Sequence, residues 1–393
     1  MQNFTSSCAL VVGTLLALSM VTGCGDSGTD TTGSGGGTTS GNGGAGGGSG
    51  GAGGGVVPGE PIDAPDDTWT WVDFPDAMCM NGEATGIGIN PTGNHDKVLF
   101  FLQGGNACFN AVSCGVTANT DGYTKAKFDA DDSINSQAFD RSNPDNPFKD
   151  YSYVYVPYCT GDVHAGDASD VKIGSKTWQF HGYGNISAYL NRLVPTFPTA
   201  SKVMVTGVSA GGFGAAFNFE HVATAFPTAQ TFLVDDSGPP MGEEFVPACL
   251  QQHFVETWGL DKTLCSDCLQ SDGVFMEPFV KHIIQKYPNE NLGLISSTGD
   301  GTIRNFWGYG EMNCSQLNGL PPPYDAAKYQ QGLEDLRDRI AVGSSFHLFM
   351  IDSMEHVWLD NDPTTVVVDG VTLQDWLIQL EGKDSAWGNV PSN

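Results

Sequence analysis

A serine hydroxyl becomes a useful nucleophile only when an imidazole takes its proton, and the imidazole works best when a carboxylate orients it. One serine in this chain stands where such chemistry is done. The run Val203-Met204-Val205-Thr206-Gly207-Val208-Ser209-Ala210-Gly211-Gly212-Phe213 passes from β-branched apolar residues into Gly-x-Ser-x-Gly and on into small, helix-compatible residues. Strand, sharp turn and helix in that order make a nucleophile elbow. The turn strains the serine backbone, and the places two residues to either side must be glycine to avoid a clash. Gly207 and Gly211 fill them. In a chain with 52 glycines the motif alone says little, but the strand pattern before it and Gly212 and Gly214 after it give it context.

The partners are sought at the ends of other strands. His356 follows the strand pattern Phe346 to Asp352 and is the best candidate for the base, since a loop beyond a strand can carry it over Ser209. The other histidines invite plainer readings. His347 falls inside that strand pattern, His164 and His181 could line the site, and His95, His221, His253 and His282 read as surface or helix positions. Asp300 follows the strand pattern Leu292 to Ser297 and is the preferred acid. Asp235 and Asp236, one strand earlier, are its main competitors, and Asp352 is closer to His356 in sequence but falls inside a strand pattern, which suits the role less. An oxyanion hole needs backbone N–H groups aimed at the developing negative charge. Ala210, directly after the nucleophile, supplies one, and Gly104-Gly105-Asn106 after the strand Lys97 to Gln103 is placed to supply the other.

The elements that must hold these residues alternate between strand-like and helix-like runs, the pattern of a mostly parallel sheet. Strands are expected at 97–103, 151–157, 202–206, 231–235, 292–297 and 346–352, and helices at 176–194, 210–225 and 373–382. A cysteine-containing insertion is expected at 243–291. Ser, Asp and His in that order, each after a strand, is the arrangement of the α/β-hydrolase fold.

The body runs from about 56 to 393 and reads as a single catalytic domain, expected to be a monomer. Residues 1–23 read as a secretory leader whose apolar stretch, 9–22, is short for a membrane span. It ends in Val21-Thr22-Gly23-Cys24, which resembles a lipobox, although no Lys or Arg precedes it. Residues 24–55 would then be a lipidated cysteine and a flexible tether, with 17 glycines among residues 25–55. Such a tether reaches about 30 Å. The expectation is an exported protein, either secreted or held at the outer membrane or cell surface, that meets the membrane only through Cys24. A net charge of −28, with Lys97 the first basic residue, argues against nucleic-acid partners and strongly anionic polymers. With Cys8 and Cys24 set aside, eight cysteines remain, an even set that in an exported chain reads as up to four disulfides. Cys265-x-x-Cys268 could instead hold zinc, but neither a second close pair nor a histidine at ligand spacing accompanies it, and neither metal nor cofactor is expected.

Taken together, these motifs resemble the pectin acetylesterase family, which includes the Notum carboxylesterases. The resemblance runs from about Cys79 to His356. It is carried by Met78-Cys79-Met80-Asn81-Gly82, by Leu102-Gln103-Gly104-Gly105-Asn106-Ala107-Cys108 with Cys114, by Asn146-Pro147-Phe148, by Tyr158-Cys159-Thr160-Gly161-Asp162 with Gly166-Asp167, and by Gly207-Val208-Ser209-Ala210-Gly211-Gly212. Asp300 with Ile303 resembles the family's acid segment, and His356 stands for its terminal histidine. The resemblance implies carboxylester hydrolysis without a metal, with Ser209 as nucleophile, Asp300 as acid and His356 as base. It implies removal of a short acyl group from an acylated polysaccharide such as pectin. A longer acyl chain on a lipid or protein, or a non-catalytic glycan-binding role, are the alternatives. It also implies disulfides Cys79–Cys159 and Cys108–Cys114 and leaves open how Cys249, Cys265, Cys268 and Cys314 pair. The family's Gly-Trp before the block cysteine is Asn106-Ala107 here, and a wall of alanine in place of tryptophan should reshape the acyl side.

Overall fold

Eight strands form one sheet in the order β1-β2-β4-β3-β7-β8-β9-β10. The computed structural model describes residues 59–391, so the leader, Cys24 and the glycine-rich tether lie outside the described residues. Strands β1 (Thr70–Met78) and β2 (Ala84–Asn90) are antiparallel additions at one edge. The other six run parallel: β3 (Lys97–Leu102), β4 (Ser152–Val156), β7 (Lys202–Val208), β8 (Gln230–Asp236), β9 (Leu292–Ser297) and β10 (Phe346–Ile351). Parallel strands are covered on both faces, which explains their unbroken apolar runs. In β3, Val98, Phe100 and Leu102 join the core on one side of the sheet, while Leu99 and Phe101 join the aromatic cluster on the other.

The helices are α1 (Ala111–Val116), α2 (Lys125–Phe128), α3 (Gly182–Thr196), α4 (Ala210–Ala225), α5 (Ala248–Trp258), α6 (Met276–Lys286), α7 (Gly301–Trp307), the kinked turn α8 (Glu311–Cys314), α9 (Ala326–Asp335) and α10 (Leu373–Gly382). Helix α4 carries apolar residues on every side, as a helix does when both its faces are covered. It packs on β7 and β8, with Phe217 reaching Phe275 and Phe279 of the insertion and Phe213 reaching Trp307 of α7. Among the described residues no helix is long and apolar enough to cross a membrane.

One expected helix starts late. Residues 176–180 form strand β6, paired antiparallel with β5 (Ala168–Ile173), and the helix begins only at Gly182. The alternation Trp178-x-Phe180 buries every second side chain, a strand period that the helical stripe farther along had masked. Disulfides Cys79–Cys159 and Cys108–Cys114 are present, and Cys249–Cys314 and Cys265–Cys268 complete the set.

Candidate active site

Strands β3, β7, β8, β9 and β10 are consecutive neighbours, so their carboxyl ends line up along one rim of the sheet. In open α/β sheets that rim is where ligands bind. Gly104 follows β3, Ser209 follows β7, Asp300 follows β9 and His356 follows β10.

Ser209 has φ 59° and ψ −122°, a strained backbone for a residue with a side chain. Its own N–H donates to the Asp236 carbonyl at 2.8 Å, and the Gly212 N–H returns to the Ser209 carbonyl at 2.9 Å. A Cβ on Gly207 would strike the Gly211 carbonyl, and one on Gly211 would strike the Leu102 carbonyl. The two elbow glycines are therefore required by backbone packing.

Asp300 is fully buried and caps α7. Its Oδ1 accepts from the N–H groups of Thr302 and Ile303, both at 2.9 Å, and its Oδ2 meets His356 Nδ1 at 2.7 Å. One carboxylate oxygen thus fixes the acid and the other holds the imidazole, so Nδ1 carries a proton and Nε2 is free to accept one. Nε2 is buried without a hydrogen-bond partner, ready for a hydroxyl. The loop around His356 is held at both ends. Ser297 Oγ donates to the Glu355 carbonyl at 2.6 Å and accepts from Trp358 Nε1 at 3.0 Å.

The turn after β3 lies directly against the nucleophile. A Cβ on Gly104 would stand 2.5 Å from the Val208 carbonyl oxygen and 2.9 Å from Ser209 Cβ. Asn106 adopts a left-handed backbone, φ 65°, and its amide donates to the Val116 carbonyl at 2.8 Å. Ala210, the first residue of α4, has an N–H without an intrahelical acceptor and at the positive end of the helix dipole. Gly104 thus lies against Ser209, and Asn106 and Ala210 line the pocket beside it, while Gly105 faces Ala118 and Tyr158.

One histidine of the wider set also bears on this turn. His164 is buried, and burial pulls its ring down to about 4, so it is neutral at ordinary pH. Its Nε2–H donates to the Gln103 carbonyl at 2.8 Å, one peptide ahead of Gly104. Val163 and His164 both have left-handed backbones, φ 50° and 57°, and are held there by the Tyr158 hydroxyl and the Asn218 amide. His253, expected at a surface or helix position, lies half-buried in α5 and bonds the Phe109 carbonyl at 2.8 Å. His181 pairs with Ser169 away from the nucleophile, and His221 is half-buried against the Tyr183 ring.

A slender apolar pocket, about 480 Å³ including its open mouth, runs from Ser209 and Ala210 past Asn106 and Ala107. Aromatic side chains make most of its wall: Phe213 and Phe217 of α4, Phe254 and Trp258 of α5, Phe275 at the start of α6, and Phe306 and Trp307 of α7. The expected insertion thus forms one side of the pocket. Sequence reading missed this lining. Its signal was the i, i+4 spacing of Phe213/Phe217 and Phe254/Trp258 and the Ile303, Phe306, Trp307 stripe, which put bulky rings on one face of three separate helices. Ala107 does stand in the wall, as the substitution of the family's tryptophan predicts, but the aromatic helices enclose the space opposite it.

The Cys265-x-x-Cys268 pair does have a nearby histidine after all. His282 stands close enough for the three residues to share an ion, although 14 residues separate it from Cys268 in sequence. The two sulfurs are bonded to each other, and His282 Nε2 bonds Glu220 at 2.9 Å, so this group lies outside the chemistry at Ser209.

Residues 69–286, more than half of the chain, match the pectinacetylesterase family model. The stretch includes Ser209 and the Gly104 turn and ends before Asp300 and His356. A palmitoleoyl-protein carboxylesterase, notum2 of Xenopus laevis, is 29% identical over 153 residues, 37% of this chain and 30% of that protein. The human palmitoleoyl-protein carboxylesterase NOTUM is 28% identical over 168 residues, 41% of this chain and 34% of its own. The chain thus spans about a third of the length of the curated relatives it matches. The Wnt deacylase Notum of Drosophila superposes with a TM-score of 0.59 at 16% identity, covering 83% of this chain and 95% of that one, which is a likeness of fold. The chain belongs to the pectinacetylesterase family, with the Notum carboxylesterases among its relatives.

Proposed function

We propose that the protein is an exported serine carboxylesterase that removes acyl groups from the hydroxyls of a polysaccharide, acetyl being the simplest. The observation that carries this reading is the buried, unpartnered Nε2 of His356, whose Nδ1 is held by Asp300, on the rim where the strained Ser209 stands. In this mechanism Ser209 Oγ attacks the ester carbonyl while His356 Nε2 takes its proton. Asp300 stabilises the imidazolium so formed. The carbonyl oxygen, now negative, is met by the Ala210 N–H and an N–H of the Gly104–Asn106 turn. Collapse expels the sugar oxygen, which takes the proton from His356 and leaves an acyl group on Ser209. Water, deprotonated by the same imidazole, then releases the acid and restores the serine.

A second reading keeps the chemistry and lengthens the acyl chain. It is favoured by the aromatic lining of the pocket, which offers more apolar surface than an acetyl group covers. Rates on nitrophenyl esters of increasing chain length decide between them. A maximum at acetate or propionate supports the glycan reading, and a maximum at octanoate or beyond replaces it with the second. Release of acetate from acetylated polysaccharides, absent in Ser209→Ala, is the direct test. Activity that survives Ser209→Ala, or no labelling of the wild type by a fluorophosphonate, refutes both.

A further inference from the structure

We propose that Asp236 is a positioning residue for this reaction, holding the nucleophile and the loop of the base to one point at the end of β8. The inference rests on the roles given above to Ser209 and His356.

Strand β8 lies between β7, which ends at the nucleophile, and β9, which ends at the acid. Its last residue is fully buried and uses its groups in two directions. The Asp236 carbonyl accepts the Ser209 N–H at 2.8 Å. Its carboxylate Oδ2 accepts the N–H groups of Trp358 at 2.6 Å and Leu359 at 2.8 Å. Oδ1 accepts from the Ser237 hydroxyl at 2.9 Å, and that hydroxyl accepts the Val357 N–H at 3.3 Å. Three successive backbone donors after His356 therefore converge on Asp236 and its neighbour.

The loop needs such a hold. Val357, directly after the base, has φ 64°, a left-handed backbone that a β-branched residue avoids. Such a conformation persists only where the surroundings over-determine it. A buried carboxylate gathering consecutive N–H groups does that, and it fixes the direction in which His356 leaves the chain.

Four titratable groups surround Asp236. Asp235 precedes it on β8, with its Oδ1 turned toward the Gly212 and Gly238 backbone. His356 faces it from the loop after β10, Asp300 lies at the end of β9, and the Tyr329 ring of α9 is buried beside both Asp235 and Asp300. Burial pushes the Asp236 carboxyl up to about 6, while the bonds from Trp358 and Leu359 and the nearby His356 favour its charged form. The clamp is thus set at neutral pH.

The test is Asp236→Asn and Ser237→Ala in the full chain, with rates normalised to active sites counted by fluorophosphonate titration. In Asp236→Asn the amide oxygen keeps the Trp358 and Leu359 N–H groups only by turning its NH2 toward the Ser237 hydroxyl, which then loses its acceptor, and the charge that strengthens the clamp is gone; a displaced base costs rate more than binding. The expected result is a kcat lower by about 10- to 100-fold with KM changed less than about twofold. Ser237→Ala, which keeps the carboxylate, lowers kcat in the same sense by a smaller factor, and it serves alone if Asp236→Asn does not fold. Unchanged kcat per titrated site in the folded variants, or a loss that falls on KM and leaves kcat alone, overturns the proposal. A wild type that is neither labelled nor active refutes the esterase reading instead, which keeps the two failures distinct.

Discussion

Gly104→Ala places a single methyl group at the boundary between the oxyanion turn and the nucleophile. Its Cβ would lie 2.5 Å from the Val208 carbonyl oxygen, 2.9 Å from Ser209 Cβ and 3.3 Å from the Val208 carbonyl carbon. Two of these are backbone atoms of the β7 strand end, which the sheet holds on both sides, so the turn after β3 must give way. Restoring ordinary contact asks for a shift of about 0.5–1 Å, at or past the tolerance of a working catalytic geometry. The His356–Asp300 pair is on the far side of Ser209 and stays in place. The loss therefore falls on the turn's share of oxyanion stabilisation, about 10²–10³ in kcat or ~3–4 kcal/mol. KM should hold within about twofold, since a neutral carbonyl in the ground state draws little from that donor. The assay is steady-state hydrolysis of a short nitrophenyl ester across pH, with thermal unfolding followed alongside. An unchanged kcat, or a change confined to KM, refutes the placement of the oxyanion hole at Gly104–Asn106. Gly105→Ala is a useful companion because its Cβ would meet side chains, Ala118 and Tyr158, instead of the strand backbone.

Removing the His164 imidazole should flatten the protein's acid sensitivity. The ring is neutral when folded, with its pKa pulled by burial from 6.5 to about 4, so the stability it lends is complete above pH 6.5 and lost as pH falls toward 4. That loss is about 3 kcal/mol at ~1.4 kcal/mol per pH unit. The raised Asp236 carboxyl works in the opposite sense, gaining stability as pH falls through about 6, but it is common to wild type and His164→Gln and cancels in the comparison. Urea midpoints at pH 7 and pH 4.5 should therefore fall less in His164→Gln; an equal fall in both proteins refutes the neutral, buried assignment. Replacing Cys79 and Cys159 by serine opens a link between residues 80 positions apart and should cost about 4 kcal/mol of stability, read from urea unfolding, with a loss below about 1 kcal/mol counting against it.

What could be read from the sequence were the features that strand ends impose locally. The elbow needs two glycines because backbone passes through the space their side chains would fill, and that requirement is written into five consecutive residues around Ser209. Asp300 and His356 were legible for a related reason, since a parallel sheet brings all its carboxyl ends to one rim whatever the chain does between strands. The pocket was not legible in the same way. Its rings sit on α4, α5, α6 and α7, and each pair there reads as ordinary core packing until tertiary structure turns the helices toward one another. The β5–β6 hairpin was lost because two apolar residues at strand spacing are outweighed by the longer helical stripe that follows them. His282 beside Cys265 and Cys268 was missed because ligand spacing in sequence is a poor guide across a loop and a helix.

The choice between Asp300 and Asp236 as the acid shows where sequence order stops deciding. Both follow parallel strands, both are wholly buried, and both lie near His356. What separates them is where the second oxygen of each goes. At Asp300 the start of α7 occupies Oδ1 and leaves Oδ2 for the imidazole. At Asp236 the loop beyond His356 occupies Oδ2 twice and Ser237 occupies Oδ1. Each carboxylate takes three donors, but only Asp300 spends one of its three on the imidazole. In the proposed mechanism the two aspartates divide one task, Asp300 setting the tautomer of the base and Asp236 setting the path of the chain that carries it. Asp300→Asn should therefore leave a folded protein with the wrong tautomer at His356, and Asp236→Asn one with the right tautomer on a looser loop. An Nδ1-bonded imidazole proton gives a far-downfield NMR line that tells them apart, expected to vanish in the first variant and persist in the second. If the line is lost in Asp236→Asn and kept in Asp300→Asn, the two roles are reversed.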